Sequence, residues 1–242
     1  MLNPFALAPK AAIAFFRGKD GVFMPTTGYR DMVGEMHSQA FMVAGATKMD
    51  MLRDFYEAVN RSISDGTTIH DFRKSFDDIV GKYGWDYTGN RAWRSRVIYD
   101  TNMSVAYQAA RYQAMTDPDI LADKPFWAYR IGFSQHHRPD HVALEGTILP
   151  ASDPFWAEAW PPNGWGCHCW VKAITGEAAT ARGISKAAPS FTPQQGWGYN
   201  SGKSWEDGFE AVMRRKLGDT PGPLREAFLD SLPAEKKKVF GR

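Results

Sequence analysis

The chain has 242 residues, of which 43% are hydrophobic and 23% are charged, as expected for a globular protein with one core and room for a helical extension. Its formal net charge of +2 is close to neutral, so the net charge argues neither for nor against a nucleic-acid partner. No stretch approaches the roughly 18 apolar residues of a membrane span. The apolar N-terminus is broken by Pro4, Pro9 and Lys10, so we expect no signal peptide but a soluble protein made in the cytoplasm.

Apolar residues recur at helical spacing over the first half of the chain and predict five helices. The first would dock on the chain's own core or on a partner. Thr47 and Asp50 predict a capping-box variant at the start of the third helix. Thr68, with Asp71 in the first turn, is predicted to cap the fourth, and Gly84 supplies its left-handed end. The predicted helices are residues 8–18, residues 27–46, a helix capped by Thr47 and ended by Asp65-Gly66, a helix from Thr68 to Gly84, and residues 91–115, after which Thr116-Asp117-Pro118 closes the helical region.

The last of these helices carries four arginines, Arg91, Arg94, Arg96 and Arg111. Such a basic helix is suited to neutralise nucleic-acid phosphates whatever the base sequence. It is more typical of a solvated face with local ion pairs. The sequence leaves both interpretations open.

The pattern changes after Pro125. Residues 126–133 are rich in aromatic side chains and predict a strand, and residues 169–174 predict a returning strand. A short helix is predicted at 176–183. From Ala187 onward glycine, proline, serine and asparagine dominate, which predicts an extended arm. Short helices are predicted in it near 206–217 and 224–232, and a frayed basic end after them.

Helices followed by strands predict an α+β fold. We expect an N-terminal helical bundle, then a small β-containing, loop-rich domain, then an extended C-terminal arm. The predicted parts are a docking segment at 1–26, a helical region at 27–116, an α+β motif domain at 117–186 and the arm at 187–242. We see no internal repeat.

Chemically versatile residues are concentrated between Phe133 and Lys172. Both cysteines of the chain, Cys167 and Cys169, lie here, one residue apart. Two cysteines so close pair only with strain, which favours free thiols or a metal over a disulfide. Four of the six histidines lie here too: His136, His137, His141 and His168.

The spacing of motifs in this stretch resembles the phage Mu F-like minor head proteins of the phage head morphogenesis family. The similarity covers most of residues 1–175. It rests on Ala14-Phe15-Phe16-Arg17-Gly18-Lys19, Arg96-Val97-Ile98-Tyr99-Asp100-Thr101-Asn102, Ala110-Arg111, Arg138-Pro139-x-His141, Leu144-x-Gly146, Asp153-Pro154-Phe155-Trp156 and Pro161-Pro162-Asn163-Gly164-Trp165-Gly166-Cys167-x-Cys169.

The resemblance implies a non-enzymatic virion component that acts in head assembly. It implies a few copies in the procapsid near the portal vertex, and therefore in the host cytoplasm during assembly and in the virion afterwards. The implied partners are the portal protein and major capsid or scaffold proteins, with non-specific contact to packaged DNA and no membrane. Family members also carry an earlier cysteine pair where this chain has Arg138 and His141, which implies a metal site.

Histidine and cysteine are the residue types that bind zinc. We predict a structural zinc site formed by His141, Cys167, Cys169 and His137, with His136 and His168 as other fourth ligands. The alternative is that the cysteines are small buried filler, and that Trp165 and Trp170 close the loop by packing.

A different class of protein also fits part of the pattern: a metal-dependent nuclease or toxin-like enzyme that uses His136, His137 and His141. His136 precedes Pro139 by three residues, as in a His-Asn-His motif, and Asn163 and His168 follow. Asn163 lies in a turn, however, and no helix is predicted before His168. The sequence contains no common hydrolase motif, so we predict no catalytic site.

Overall fold

The computed structural model describes residues 4–31, 34–134, 137–218 and 222–240. Within these ranges the fold is α+β, as predicted. The helices are α1 (Pro4–Arg17), α2 (Met36–Gln39), α3 (Met49–Asp65), α4 (Ile69–Tyr83), α5 (Arg91–Thr116), α6 (Pro118–Asp123), α7 (Pro139–Val142), α8 (Phe155–Glu158), α9 (Gly176–Arg182), α10 (Ser201–Gly218), α11 (Gly222–Ser231) and α12 (Ala234–Lys237). The strands are β1 (Phe126–Arg130), β2 (Ile148–Pro150) and β3 (Trp170–Ile174). Among the described helices none is long and apolar enough to cross a lipid bilayer.

Helices α1, α3, α4 and α5 pack around the main hydrophobic core. Thr68 caps α4 as predicted, and it does so within a full capping box: Thr68 accepts from the backbone of Asp71, and Asp71 accepts from the backbone of Thr68. Gly84 ends α4 in the left-handed conformation at φ 59°, where a residue without a Cβ is favoured. The apolar face of α1 is buried in the same core. This segment therefore docks on the chain's own core, one of the two outcomes expected.

The predicted helix at 27–46 is wrong. The structure has a 3₁₀ turn at Tyr29–Asp31 and the short helix α2, followed by extended chain. Residues 40–43 are buried one after another, which a one-sided helix cannot achieve but an extended segment inside a core can. Phe41 forms a parallel bridge with Phe23. Helix α3 also begins one residue later than predicted, with Lys48 rather than Thr47 at its N-cap. Lys48 makes no side-chain cap hydrogen bond, so the predicted capping-box variant of Thr47 and Asp50 is wrong.

The arginines of α5 are mostly engaged within the chain. Arg91 pairs with Asp77 at 2.5 Å. Arg94 is buried, and Arg111 donates to the carbonyl of Val171 at 3.4 Å. The structure therefore does not present these arginines as one continuous basic face.

Helices continue past the predicted end of the helical region. Asp117 follows α5 and caps α6 by accepting from the backbone of Asp119 and Ile120, and Pro118 fills the first turn. Proline suits that position because its missing N–H would have had no partner inside the helix. Thr116-Asp117-Pro118 is thus a junction between two helices.

The three strands form an antiparallel sheet in the order β2-β1-β3. The central strand pairs Trp127 with Leu149 on one side and with Ala173 on the other. The predicted strands at 126–133 and 169–174 correspond to β1 and β3. Strand β2 and the short helices α7 and α8 were not predicted.

The C-terminal arm contributes to the cores. Trp197 and Tyr199 are buried in the main helical core. Helix α10 begins at Ser201, earlier than the predicted 206, and contains a non-helical residue at Gly208. Residues of α10 and α11 share a second core with Met36 and Met42. Residues 234–240, predicted to be frayed, form α12 and a 3₁₀ turn, whereas residues 241–242 lie outside the described ranges. The four-part domain division remains a prediction.

We expect limited proteolysis of the free protein by subtilisin to cut first between residues 187 and 196. This stretch has no helix or strand and is largely exposed, so it opens at low free-energy cost. Cleavage between 197 and 205 should be slow because Trp197 and Tyr199 are buried. The fragments are identified by mass spectrometry. Earlier cleavage inside α3 or α5 would contradict this description of the arm.

Candidate metal centre

The structure brings together His141, Cys167 and Cys169. Their ligand atoms all lie within 4.8 Å of one another, and the three residues are buried. His141 lies on α7, a single helical turn whose first residue is Pro139. The two cysteines immediately precede β3. The loop of 25 residues between His141 and Cys167 folds back through β2 and α8, as the zinc prediction required.

The separations fit a tetrahedral metal site. The Nδ1 atom of His141 is 3.5 Å from the Sγ atom of Cys167 and 3.5 Å from that of Cys169. A tetrahedral zinc ion with Zn–S bonds of about 2.3 Å and Zn–N bonds of about 2.0 Å would hold sulfur and nitrogen about 3.5 Å apart. The three side chains can therefore take up zinc with little rearrangement.

Two further polar side chains at this centre were not predicted. Tyr129 of β1 is fully buried and makes a side-chain hydrogen bond with Cys169. Asn163 is also fully buried, and its Nδ2 atom donates to the Tyr129 hydroxyl at 2.9 Å and to the Ala159 carbonyl at 3.0 Å. The aromatic richness of the predicted strand at 126–133 was the only sequence signal for Tyr129. The role of Asn163 depends on tertiary contacts.

The pKa values of the two cysteine thiols are shifted in opposite directions. The pKa of Cys169 is lowered, first by the hydrogen bond from Cys167 and then by those from His141 and Tyr129. The pKa of Cys167 is raised by its hydrogen bond to Cys169 and by burial. The hydrogen bonds from His141 and Tyr129 thus favour a thiolate at this centre, and a thiolate is the form that binds metal.

The remaining predicted histidines lie elsewhere. His137 is exposed and is not part of the buried group. His168 points away from its two cysteine neighbours, and its Nε2 atom lies 3.8 Å from a carboxylate oxygen of Asp100. His136 lies outside the described residues. Nothing in the described chain joins His137 and His141 into the exposed cluster that the nuclease alternative needs.

Two side chains of α5 form hydrogen bonds with the backbone of the cysteine loop. Ser104 donates to the carbonyl of Cys167, and Gln108 donates to that of Cys169, each at 3.2 Å. Tryptophan packing also supports the loop: the rings of Trp127 and Trp160 lie 5.1 Å apart within the same buried cluster as the cysteines. The sequence-based alternative to zinc was that Trp165 and Trp170 close this loop by packing. Trp165 instead packs on Trp197 in the helical core, with ring centroids 5.1 Å apart.

Gly132 is required by a close approach between two loops of this region. A Cβ atom on Gly132 would overlap the carbonyl group of His168, which is backbone and cannot rotate away. We expect Gly132→Ala to lower the free energy of unfolding by about 1–3 kcal/mol, because the loops must separate. Urea denaturation measures the change.

The matched control for Gly132→Ala is Gly81→Ala. Gly81 lies in α4 and has open space where its Cβ would be. Alanine is favoured over glycine in a helix by up to about 1 kcal/mol, so the control should be neutral or stabilising. Equal effects of the two substitutions would show that the loop contact has no special role.

The fold and the centre define a helical α+β protein in which a small sheet closes over a buried histidine–cysteine group. Over residues 53–172, about half of its length, the chain belongs to the family described as Phage Mu protein F like protein. The matched range includes His141, Cys167 and Cys169. The family resemblance inferred from the motifs is thereby confirmed.

Two curated relatives extend the similarity. The chain is 28% identical over 280 residues to the "Putative capsid assembly protein F" of Escherichia phage Mu, across 96% of this chain and 63% of that protein. It is 35% identical over 170 residues to the Mu-like prophage FluMu F protein of Haemophilus influenzae, across 66% of this chain and 40% of that protein. The chain thus spans less than two thirds of the length of these relatives. No solved structure matches it.

Proposed function

We propose that the chain is a non-enzymatic minor head protein of a Mu-like tailed phage or prophage and acts in head morphogenesis. The observation that carries the proposal is the family membership of residues 53–172. One relative bears a name that assigns it to capsid assembly. Function in assembly requires contact with other head proteins. The finer proposal is a location at the portal vertex, with the portal protein and the major capsid or scaffold proteins as partners.

Contact with packaged DNA is a further part of this proposal. It rests on the family resemblance rather than on a basic surface, because three of the four arginines of α5 are engaged within the chain. Any such contact would be non-specific, through phosphates.

The buried centre serves as a structural zinc site in this proposal. His141, Cys167 and Cys169 would hold the metal, which when bound cross-links the loop to β3 and α7. Binding energy at such a site adds directly to folding stability. The fourth ligand remains the proposed His137, provided that its loop turns inward. The alternative donor is the hydroxyl of Tyr129, which already contacts Cys169.

Particle composition tests the head function. Procapsids and virions are purified from wild-type phage and from a phage in which this gene carries an early stop codon, with the gene supplied in trans as the control. We expect the chain in both particles at a few copies each, and we expect it to co-purify with the portal protein. Its absence from both particles, with normal assembly of the mutant, would refute the proposal.

The absence of catalysis is tested separately. Purified protein is incubated with DNA, RNA or a nicotinamide dinucleotide in the presence of Mg²⁺, Mn²⁺ or Zn²⁺. We expect no turnover, because the described histidines do not form an exposed catalytic cluster. Turnover that disappears in the His141→Ala variant would establish the enzyme alternative instead.

A further inference from the structure

A large cleft lies beside the metal centre, on the far side of the cysteine loop. Its volume is about 1410 Å³. The walls are the turn at Tyr29, the connection between α4 and α5, the first half of α5, and the loops around Phe133 and Trp165. His168, which lies between the two cysteines, also lines it. The zinc proposal makes no use of this cleft.

Exposed aromatic side chains converge on the cleft. In the described part of the chain five large hydrophobic residues are exposed, and three of them line the cleft. These are Tyr29 at 56%, Trp93 at 50% and Phe133 at 96% exposure. The other two, Val142 and Ile184, lie outside it. Exposed apolar surface gathered in one concave place marks an interaction site.

Two arginines in the cleft have no carboxylate partner among the described residues. The guanidinium of Arg94 lies 5.7 Å from the ring of Trp85 and 5.3 Å from that of Trp93, and its Nε atom donates to the Thr88 carbonyl at 3.1 Å. Arg138 donates to the carbonyl of Trp165 at 2.6 Å. Arg94 is buried, and a buried cation without a counterion is energetically costly. Arg138 is exposed and adds a second positive charge, so the cleft is suited to receive a carboxylate.

Acidic residues in the same walls decide between partner classes. Asp86 and Asp100 line the cleft together with the arginines. These two carboxylates disfavour a continuous polyanion such as a nucleic-acid strand, whose phosphates would meet both signs of charge. Tryptophan, tyrosine and arginine are the residue types that contribute most to binding at protein–protein interfaces. The composition therefore favours a polypeptide.

We propose that this cleft binds a segment of a partner protein in which an acidic residue lies beside a large apolar residue. The acidic side chain would meet Arg94 and Arg138, and the apolar side chain would pack on Trp93 and Phe133. This inference deepens the proposed head function, because the segment would belong to another head protein. The cleft would then be one docking surface through which the chain joins the assembly.

Selection from a random 12-residue peptide library against the immobilised full chain tests the inference without assuming any partner. We expect an enriched motif with an acidic residue next to an aromatic or aliphatic one. A fluorescent peptide of that sequence should bind at least tenfold more weakly to Phe133→Ala and Arg138→Ala than to the wild type. Ile184→Ala, an exposed residue outside the cleft, is the matched control and should bind normally.

Each other result counts against the inference. Absence of an enriched motif, or a motif that binds the variants and the wild type equally, would overturn it. Binding of a dT20 oligonucleotide that Phe133→Ala and Arg138→Ala abolish, without peptide binding, would assign the cleft to nucleic acid. Phe133 is almost fully exposed, so its removal should not unfold the protein. Particle composition tests the head function independently, so the two proposals can fail separately.

Discussion

Phe76→Ala is expected to lower the free energy of unfolding by about 3–5 kcal/mol, since truncating a buried phenylalanine removes its contacts and leaves a cavity. Phe76 of α4 has no exposed surface. Its ring centroid lies 5.2 Å from that of Tyr87, 5.9 Å from that of Phe55 and 6.3 Å from that of Trp85. Such a packed aromatic group has little freedom to collapse into the space left behind. Urea denaturation followed by far-ultraviolet circular dichroism measures the loss.

The control for this substitution is Phe133→Ala. It removes the same side chain from a position that is 96% exposed, so it should change stability by less than about 0.5 kcal/mol. Comparison of the two variants shows how much of the stability loss comes from burial rather than from the removal of a phenylalanine as such. A change near zero for Phe76→Ala would mean that α4 does not bury this face, which would contradict the assignment of the helical core.

The sequence predicted helices well where capping residues mark both ends of the helix. Thr68, Asp71 and Gly84 define α4 through contacts within one turn of each end, so neighbouring residues contain the necessary information. The segment 27–46 had a helical apolar pattern without such boundaries. Its conformation is set by burial on several sides: Gly34 lies against the backbone of Gly196, where a Cβ would come within 2.8 Å of the carbonyl oxygen.

The buried histidine–cysteine group was partly predictable for a different reason. Cysteine occurs twice in the chain and histidine six times, so their clustering was visible without knowledge of the fold. Tyr129 and Asn163 are common residue types, and only the strand register and the turn after α8 bring them to the cysteines. The exposure of His137, the proposed fourth ligand, could not be foreseen either, because the direction of a loop side chain depends on the fold around it.

The cleft illustrates the limit of sequence patterns more generally. Its aromatic residues come from segments as far apart as Tyr29 and Phe133. Exposure distinguishes them from the aromatic residues of the cores, and exposure is a property of the folded chain. The high aromatic content of 14% therefore has two explanations in this protein, core packing and a candidate interface.

Removal of the proposed zinc ion is expected to have the largest effect on this protein. Structural zinc contributes roughly 10 kcal/mol or more to the folding of small zinc domains. Protein purified without added metal should contain about one zinc ion per chain by elemental analysis, and a chelator should lower its melting temperature. Cys169→Ala should lose the metal, because it removes one of the three buried ligands of the group.

Two variants identify the fourth ligand. His137→Ala removes the proposed histidine from an exposed loop, whereas Tyr129→Phe removes only a buried hydroxyl group and keeps the packed ring. The variant with the greater loss of zinc affinity shows which side chain completes the site. A zinc content below about one ion per four chains, with melting unchanged by chelator, would contradict a structural metal. Stability of the loop would then rest on the packing of Trp127, Trp156 and Trp160 against the cysteines, and Trp160→Ala would become the substitution that unfolds it.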